Sequence, residues 1–361
     1  MPRDLKRIAK DVEKAVESPL VSDKIEVQWN RGVVSTGSTL LDLAISGERL
    51  RGGGIPNGIV MEIYGPSGKG KTALLSEICG CAQAKGGDIF IADPEARLDK
   101  EYARIYGVEL RKDNYSRPDT VPEMFQGIWD WKPKPKKSDA VCVYGGDSLA
   151  ALSTDMEMED KDKMGMKRAK DFSEWMRKTC RVIANNGWLI PLTNQIRGGT
   201  DGEFTPGGVA IEFYSTIRIR VGSPYPMGWP VVRTVTVGHK EQKEIVGIRS
   251  RCAIKKNTAG IPYRDADIWI MFGYGIDDVR GNLQYMKDNA SHEITNKKTG
   301  EITLGAYNWY PCIDKQIQGL DQAVEYIEKE GHQKRLKDQV IDLWKKIHGA
   351  LQTERFPKDR G

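Results

Sequence analysis

Gly65-Pro66-Ser67-Gly68-Lys69-Gly70-Lys71-Thr72 fits the spacing G-x-x-x-x-G-K-T. Each residue type in it has a job at a polyphosphate. Glycines let successive backbone N–H groups turn inward around the phosphates. A lysine placed like Lys71 reaches the β- and γ-phosphates, and a hydroxyl placed like Thr72 ligates Mg²⁺. Ala73 opens the helical run that follows, so its N–H joins the orphan donors and positive dipole end of that helix. A Gly-rich turn without a ligand is the plain alternative. The lysine, the threonine, the spacing and the flanking runs together weigh against it.

Three further groups stand at the ends of apolar runs. In Asp93-Pro94-Glu95 a carboxylate can orient and deprotonate a water for attack on a γ-phosphate. Asp147 follows Val141-Cys-Val-Tyr-Gly-Gly146 and is placed to hold Mg²⁺ through its water shell. An isolated Asp there otherwise caps a helix or a turn. Gly145 and Gly146 interrupt the apolar run, which predicts a weak strand before Asp147. Asn194-Gln195 ends a third run. An amide there can sense a γ-phosphate, and the Gly-rich stretch 198–208 directly after it suggests a switch driven by that phosphate. A plain surface loop is the other reading.

Elements with the right periodicity surround these residues. Strands are predicted at 59–64, 88–92, 140–144, 188–193, 216–221, 234–237 and 248–254, and a helix at 73–83. Strand–helix alternation in the first part predicts an α/β fold, a mostly parallel twisted sheet with helices on both faces. The later strands have no long helices between them and predict an antiparallel edge. Leu5, Ile8, Val12 and Val16 fall on one face of a helix over residues 1–17, ended by Pro19. Beyond about residue 275 a hairpin-like stretch near 296–303 and helices at about 319–330 and 333–348 predict a small α+β domain. The expected division is therefore 1–30 (helix and linker), 31–275 (core) and 276–361 (C-terminal domain). Lys132-Pro-Lys-Pro-Lys-Lys137 reads as a stiff solvated connector.

The chain has 361 residues, 39% of them hydrophobic, enough for a sizeable core. Its net charge of +5 permits nucleic-acid binding without arguing for it. No apolar run is long enough to cross a bilayer, so no membrane partner is expected. Six scattered cysteines give neither a C-x-x-C nor another metal-ligand spacing, which fits a reducing compartment.

Taken in order, several motifs resemble one family, the bacterial RecA recombinases and their phage relatives. They are Ser35–Asp42, Ile63–Thr72, Asp93–Arg104, Asp147–Leu152, Asn194–Arg197, Thr205–Gly208 and Phe213-Tyr214. The resemblance spans residues 30–275 and continues weakly to about 348. It implies an ATP- and Mg²⁺-dependent, cytoplasmic protein of a bacterial cell or a phage. Such a protein forms a helical filament on single-stranded DNA, pairs it with homologous duplex DNA, and hydrolyses ATP when DNA is bound. A ring-shaped motor on the same core, and a nucleotide-gated DNA scaffold with little turnover, are the competing readings.

The same resemblance implies roles by position. Glu95 is the water-activating base, Asp99 and Tyr102 contact adenine, and Gln195 senses the γ-phosphate. Lys256 reaches across a subunit interface to the neighbour's ATP, with Lys255 as an alternative because Thr258 stands where a second lysine is usual. The N-terminal helix and Phe213 resemble the family's subunit-docking elements; from its pattern alone the helix could equally pack on its own core. A first DNA loop lies near 155–165, with Met164 as an apolar wedge between bases and Arg168 and Arg177, on the helical turns that follow, as phosphate contacts. Arg197, Phe204, Gly207 and Gly208 belong to a second, shortened one. The family's acidic C-terminal tail is absent from this sequence.

Overall fold

The computed structural model of the chain describes residues 32–47, 52–153, 164–199, 202–222, 229–290, 293–295, 302–304, 309–310, 312–313 and 315–351. The helix expected over 1–17, the first-loop residues 154–163, the Met164 side chain and the chain from 352 onward lie outside that description.

A ten-stranded sheet forms the centre. Its strands are β1 (Ile59–Gly65), β2 (Ile89–Ala92), β3 (Tyr115–Ser116), β4 (Val143–Gly146), β5 (Leu189–Gln195), β6 (Ile217–Gly222), β7 (Trp229–Val237), β8 (Lys240–Asn257), β9 (Asp265–Met271) and β10 (Gly275–Ile276). The spatial order is β10-β9-β8-β6-β1-β5-β4-β2-β3, with β7 paired to β8. From β6 to β3 every pairing is parallel. From β6 through β8 and β9 to β10 every pairing is antiparallel, as it is between β7 and β8. The expected parallel sheet with an antiparallel edge is what forms.

The helices are α1 (Thr39–Ser46), α2 (Lys71–Ala84), α3 (Lys100–Ile105), α4 (Val121–Asp130), α5 (Met164–Asn186), α6 (Val209–Tyr214), α7 (Asp278–Asn289), α8 (Leu320–Lys329) and α9 (Gln333–Leu351). They cover both faces of the sheet. Leu41 and Ile45 of α1 and Leu74, Leu75 and Ile78 of α2 pack with Met61 and Ile63 on one face. Phe125 of α4, Phe172 and Met176 of α5, and Ile211 of α6 pack with Val60, Ile190 and Leu192 on the other. β1 is buried along its whole length, which is why it reads as a continuous apolar run rather than an alternation.

Ser35–Asp42 acts locally as a clasp. The buried Asp42 carboxylate accepts from the Ser35 hydroxyl (2.5 Å), the Thr36 N–H (2.7 Å) and the Thr36 hydroxyl (2.8 Å). Burial nonetheless pushes its pKa up to about 6, against the pull of those bonds. Ser38 then caps α1 through the Leu41 N–H.

Three expectations need correction. β4 is not weak: it runs straight through Gly145 and Gly146. A Cβ on Gly146 would lie 2.2 Å from Met124 Cε and 2.9 Å from Leu192 Cδ2, so the glycine is what lets β4 sit between α4 and β5. β7 and β8 begin well before 234 and 248, because the two strands pair as one long hairpin beyond the sheet. β9 has no counterpart among the predicted strands, although its Asp-Ala-Asp-Ile-Trp-Ile-Met alternates exposure along its length.

Beyond β10, α7, α8 and α9 share a separate cluster around Leu283, Ile327 and Leu336. Strands 293–295 and 302–304 pair antiparallel, closing the predicted hairpin.

Candidate nucleotide site and its neighbouring surfaces

Strand register assembles the site before any side chain is considered. Gly65 at the end of β1 pairs with Gln195 at the end of β5. Ala92 pairs with Gly146, and Gly146 with Leu192. The residues that follow these pairs, Asp93 and Asp147, therefore emerge side by side at the carboxyl edge of the sheet, next to the loop. Ligands of open parallel sheets bind at this edge.

The loop geometry demands its glycines. A Cβ on Gly65 would lie 2.0 Å from the Val221 carbonyl oxygen. Gly70 has φ 95°, and a Cβ there would meet Ile270 Cδ1 at 2.2 Å. Gly70 is also the N-cap of α2 and supplies no side-chain cap, so the first N–H groups of α2 face the loop without one. The Lys71 ammonium donates to the Gly65 (3.0 Å) and Pro66 (2.9 Å) carbonyls. Burial lowers its pKa, while Asp147 and Glu95 pull it back up. Lys69 is fixed from the other side, where its carbonyl accepts from the Ser250 hydroxyl at 2.8 Å.

Two carboxylates are held in different ways. Asp147 Oδ2 accepts from the Thr72 hydroxyl at 2.6 Å, and Oδ1 accepts from the Thr193 hydroxyl. Burial raises the Asp147 pKa, and these two hydroxyls oppose the rise. Glu95 Oε1 accepts from the Ser148 hydroxyl (2.8 Å) and the Gln195 amide (3.0 Å), and Oε2 pairs with Arg97 at 3.0 Å. Beside them the buried Asp93 accepts from the Leu98 N–H and the Tyr115 hydroxyl, both at 2.8 Å, which anchors the segment that carries Glu95.

A cavity of about 590 Å³ joins Ser67, Gly68, Gly70–Ala73, Glu95, Asp147 and Gln195 to a mostly apolar part. That part is lined by Leu98, Tyr102, Ile105 and Tyr106 and by Ile248, Ile270, Phe272 and Gly273. The Tyr106 hydroxyl donates to that of Tyr102 at 3.1 Å. A mostly apolar, aromatic lining beside a phosphate loop suits a nucleobase. Tyr102 is where the sequence places a base contact. Asp99, the other residue the resemblance gives as an adenine contact, instead caps α3 through the Glu101 and Tyr102 N–H groups and lies outside the lining.

The sequence reading missed Tyr106, Phe272, Ser148 and Thr193. Tyr102 and Tyr106 were recoverable as an i, i+4 pair on a helix. Phe272 comes from a distant strand end and carries no local signal.

Hydroxyl and carboxylate oxygens are the donor types Mg²⁺ prefers, and Thr72 and Asp147 supply one of each. Among the described residues no cluster of three or more His, Cys, Asp or Glu forms a self-sufficient metal site. The pair fits a cation that also takes phosphate oxygens.

The surfaces expected to meet DNA or a neighbour are partly otherwise engaged. Arg197 and Phe204 pair across a short antiparallel ribbon, 197–199 with 202–204, directly after β5. Phe204 is 53% exposed. Gly207 and Gly208 take φ 101° and 67° at the turn into α6. Arg177 is exposed on α5. Arg168, expected on DNA phosphates, instead donates to the Leu149 (2.7 Å) and Ala150 (2.8 Å) carbonyls and braces the turn after Asp147. Lys256, expected to reach a neighbour, donates to the Glu212 (2.7 Å) and Phe213 (2.9 Å) carbonyls and closes the end of α6 within its own chain. Burial lowers its pKa. Lys255 is exposed, and Thr258 faces the Thr216 carbonyl.

The ribbon is tied back to the core. The Asn194 amide donates to Glu62 (2.9 Å) and to the Pro206 carbonyl (3.0 Å), and Glu62 pairs with Arg218 at 2.6 Å. Arg218 in turn reaches Glu212 on α6. A second cavity, of about 460 Å³, lies between α1, β8, β9, α7 and α9. Its Arg249 and Arg251 converge on Asp267, and nothing of the phosphate loop enters it.

Among the described residues no helix is long and apolar enough to cross a membrane. The sequence is 31% identical to Protein RecA of Gloeothece citriformis over 342 residues, 88% of this chain and 86% of that one. It is 35% identical to Protein RecA of Thermus thermophilus over 257 residues, covering 68% and 69%. It is 32% identical to that of Colwellia psychrerythraea over 354 residues, 91% of each chain. The family model of the RecA N-terminal domain matches residues 3–277, and with it the phosphate loop, both carboxylates and the Gln195 strand, so this chain belongs to the RecA family.

Proposed function

We propose that this chain is an ATP-dependent DNA recombinase. It binds ATP at the phosphate loop, assembles as a helical filament on single-stranded DNA, and pairs that strand with homologous duplex DNA. DNA-stimulated hydrolysis then releases the assembly. The observation that carries this reading is the Gln195 amide, which donates to Glu95 and stands two residues before the Arg197–Phe204 ribbon. One residue thus holds the group that would activate water and stands just ahead of the ribbon that would meet DNA.

In the reaction, Glu95 accepts a proton from water as the water oxygen bonds to the γ-phosphorus and the bond to the ADP oxygen breaks. Lys71 holds the phosphate oxygens. Thr72 and Asp147 hold Mg²⁺, which when bound offsets charge on those oxygens. Tyr102 and the apolar lining of the same cavity hold the base. Gln195, drawn to the γ-phosphate or to Glu95, sets the ribbon in one of two arrangements. Arg177, Arg197 and Phe204 contact the DNA backbone and bases. Lys256 and Phe213 share one surface at the end of α6, which we assign to a neighbouring subunit. We divide the chain into a docking segment (1–30), an ATPase core (31–275) and a C-terminal domain (276–361).

The test is single-stranded DNA affinity with ADP and with a non-hydrolysable ATP analogue, for the wild type and Gln195→Ala. The expected result is an ATP-induced gain in affinity that the mutant loses, together with DNA stimulation of hydrolysis. A mutant that keeps the full gain removes Gln195 from the mechanism. Electron microscopy of the DNA complex separates filaments from rings. Phosphate release with and without DNA separates an ATPase from a passive scaffold.

A further inference from the structure

Thr193 is a hydroxyl at the end of an apolar run. Leu189, Ile190 and Leu192 before it are fully buried, and Thr193 is itself fully buried. A buried hydroxyl needs a partner. Register supplies one. Gly146 pairs with Leu192, so the next residues, Asp147 and Thr193, meet across β4 and β5. The Thr193 hydroxyl donates to Asp147 Oδ1, while Thr72 of the phosphate loop donates to Oδ2.

We propose that Thr193 is a positioning residue for Asp147: it sets the rotation of the carboxylate and ties that rotation to the strand ending in Gln195. The terminal torsion of an aspartate is broad, so a single hydrogen bond at Oδ2 leaves the carboxylate plane free to turn. Two hydroxyls on two elements fix it. Side chains two apart on a strand share a face, so Thr193 and Gln195 project from β5 on the same side. One strand then contacts the cation-holding carboxylate through Thr193 and the water-activating carboxylate through Gln195. The inference rests on the reading of Thr72 and Asp147 as the Mg²⁺ pair. Thr193 is not among the residues that line the cavity, so its loss weakens cation binding without removing a nucleotide contact.

The experiment uses the full chain with Thr193→Val, which keeps the shape, and Thr193→Ser, which keeps the hydroxyl. A fluorescent ATP analogue is titrated with Mg²⁺ and separately bound in EDTA, and Mn²⁺ in the ternary complex is followed by electron paramagnetic resonance. Thr193→Val is expected to raise half-saturating Mg²⁺ and Mn²⁺ roughly tenfold. Binding in EDTA stays within about twofold, because the loop is untouched. Thr193→Ser restores the wild-type cation dependence.

Thr72→Val is the reference. If it shifts the Mg²⁺ dependence and Thr193→Val does not, the inference about Thr193 is wrong while the cation site stands. If Thr72→Val changes nothing, the cation reading itself is wrong. Equal losses in EDTA and Mg²⁺ for Thr193→Val, or a Ser variant as defective as Val, would mean that Thr193 only fills the core. Should Thr193→Val not fold by circular dichroism, Thr193→Ala takes its place with the same readouts.

Discussion

The cluster around Glu95 and the surface around the Arg197–Phe204 ribbon adjoin where β5 ends at Gln195, yet they are built on opposite terms. In the cluster each carboxylate is held by side chains of its own chain. Glu95 is gripped by Ser148, Gln195 and Arg97, and Asp147 by Thr72 and Thr193. At the end of the ribbon and beyond it, Phe204, Val209 and Phe213 are 53%, 78% and 71% exposed. Large apolar side chains left open in one region mark a surface that a partner covers. The first region is organised within one chain, ahead of its substrate. The second is finished by something else, which our reading makes DNA and a neighbouring subunit. Hydrolysis and assembly should therefore separate cleanly by mutation.

The sharpest break is Glu95→Gln. The amide keeps the shape and cannot take the proton of water, so hydrolysis should fall about 10²–10⁴-fold. Nucleotide and DNA binding should persist. Phosphate release measured beside DNA affinity checks both, and near-normal turnover would move the base elsewhere. Lys71→Ala comes next. Loss of a charge-assisted contact should weaken nucleotide binding about 10–100-fold. Addition of ATP should then no longer raise DNA affinity in a polarisation assay. A mutant that still responds to ATP would break the link between the two regions.

The DNA side gives smaller effects. Arg177→Ala should weaken single-stranded DNA binding for all sequences alike and make the log–log salt slope shallower by about one unit. Loss confined to certain sequences would indicate base readout instead. The smallest effect lies behind the nucleotide site. Burial on α2 raises the Glu77 pKa to about 7 from an unfolded value near 4.5, against a bond from the Ile276 N–H. The folded state thus binds this proton more tightly than the unfolded chain. Its contribution to stability is fully present below about pH 4.5 and is lost as pH rises through 7. Urea unfolding midpoints across that window should fall with pH, and Glu77→Gln should flatten the part of the slope that Glu77 supplies.

How much of this could be read in advance varied with how local the cause is. The helix at 73–83 and the strand before it were legible because apolar periodicity and glycine spacing lie within a short window. So was the antiparallel edge, from strands without helices between them. β9 was not, because its alternation was masked by a charged start, and its pairing partner β8 carries most of its order. Gly145 and Gly146 were misjudged for a similar reason. Glycine weakens an isolated strand, but here Met124 and Leu192 leave no room for a side chain.

The sequence by itself determined the chemistry on offer. Residue type and spacing put a phosphate-loop motif, a strand-end carboxylate and a strand-end amide on offer, since each depends on one short stretch; base and sensor are the roles we propose for the last two. Only the tertiary structure decided which side chains meet. Parallel register set Gln195 beside Gly65 and Asp147 beside Thr193, residues far apart in the chain. Packing turned Arg168 and Lys256, read as outward-reaching cations, onto backbone carbonyls of their own fold. A cation's charge is a property of its residue, but its partner is fixed by whichever unpaired oxygens the fold brings within reach.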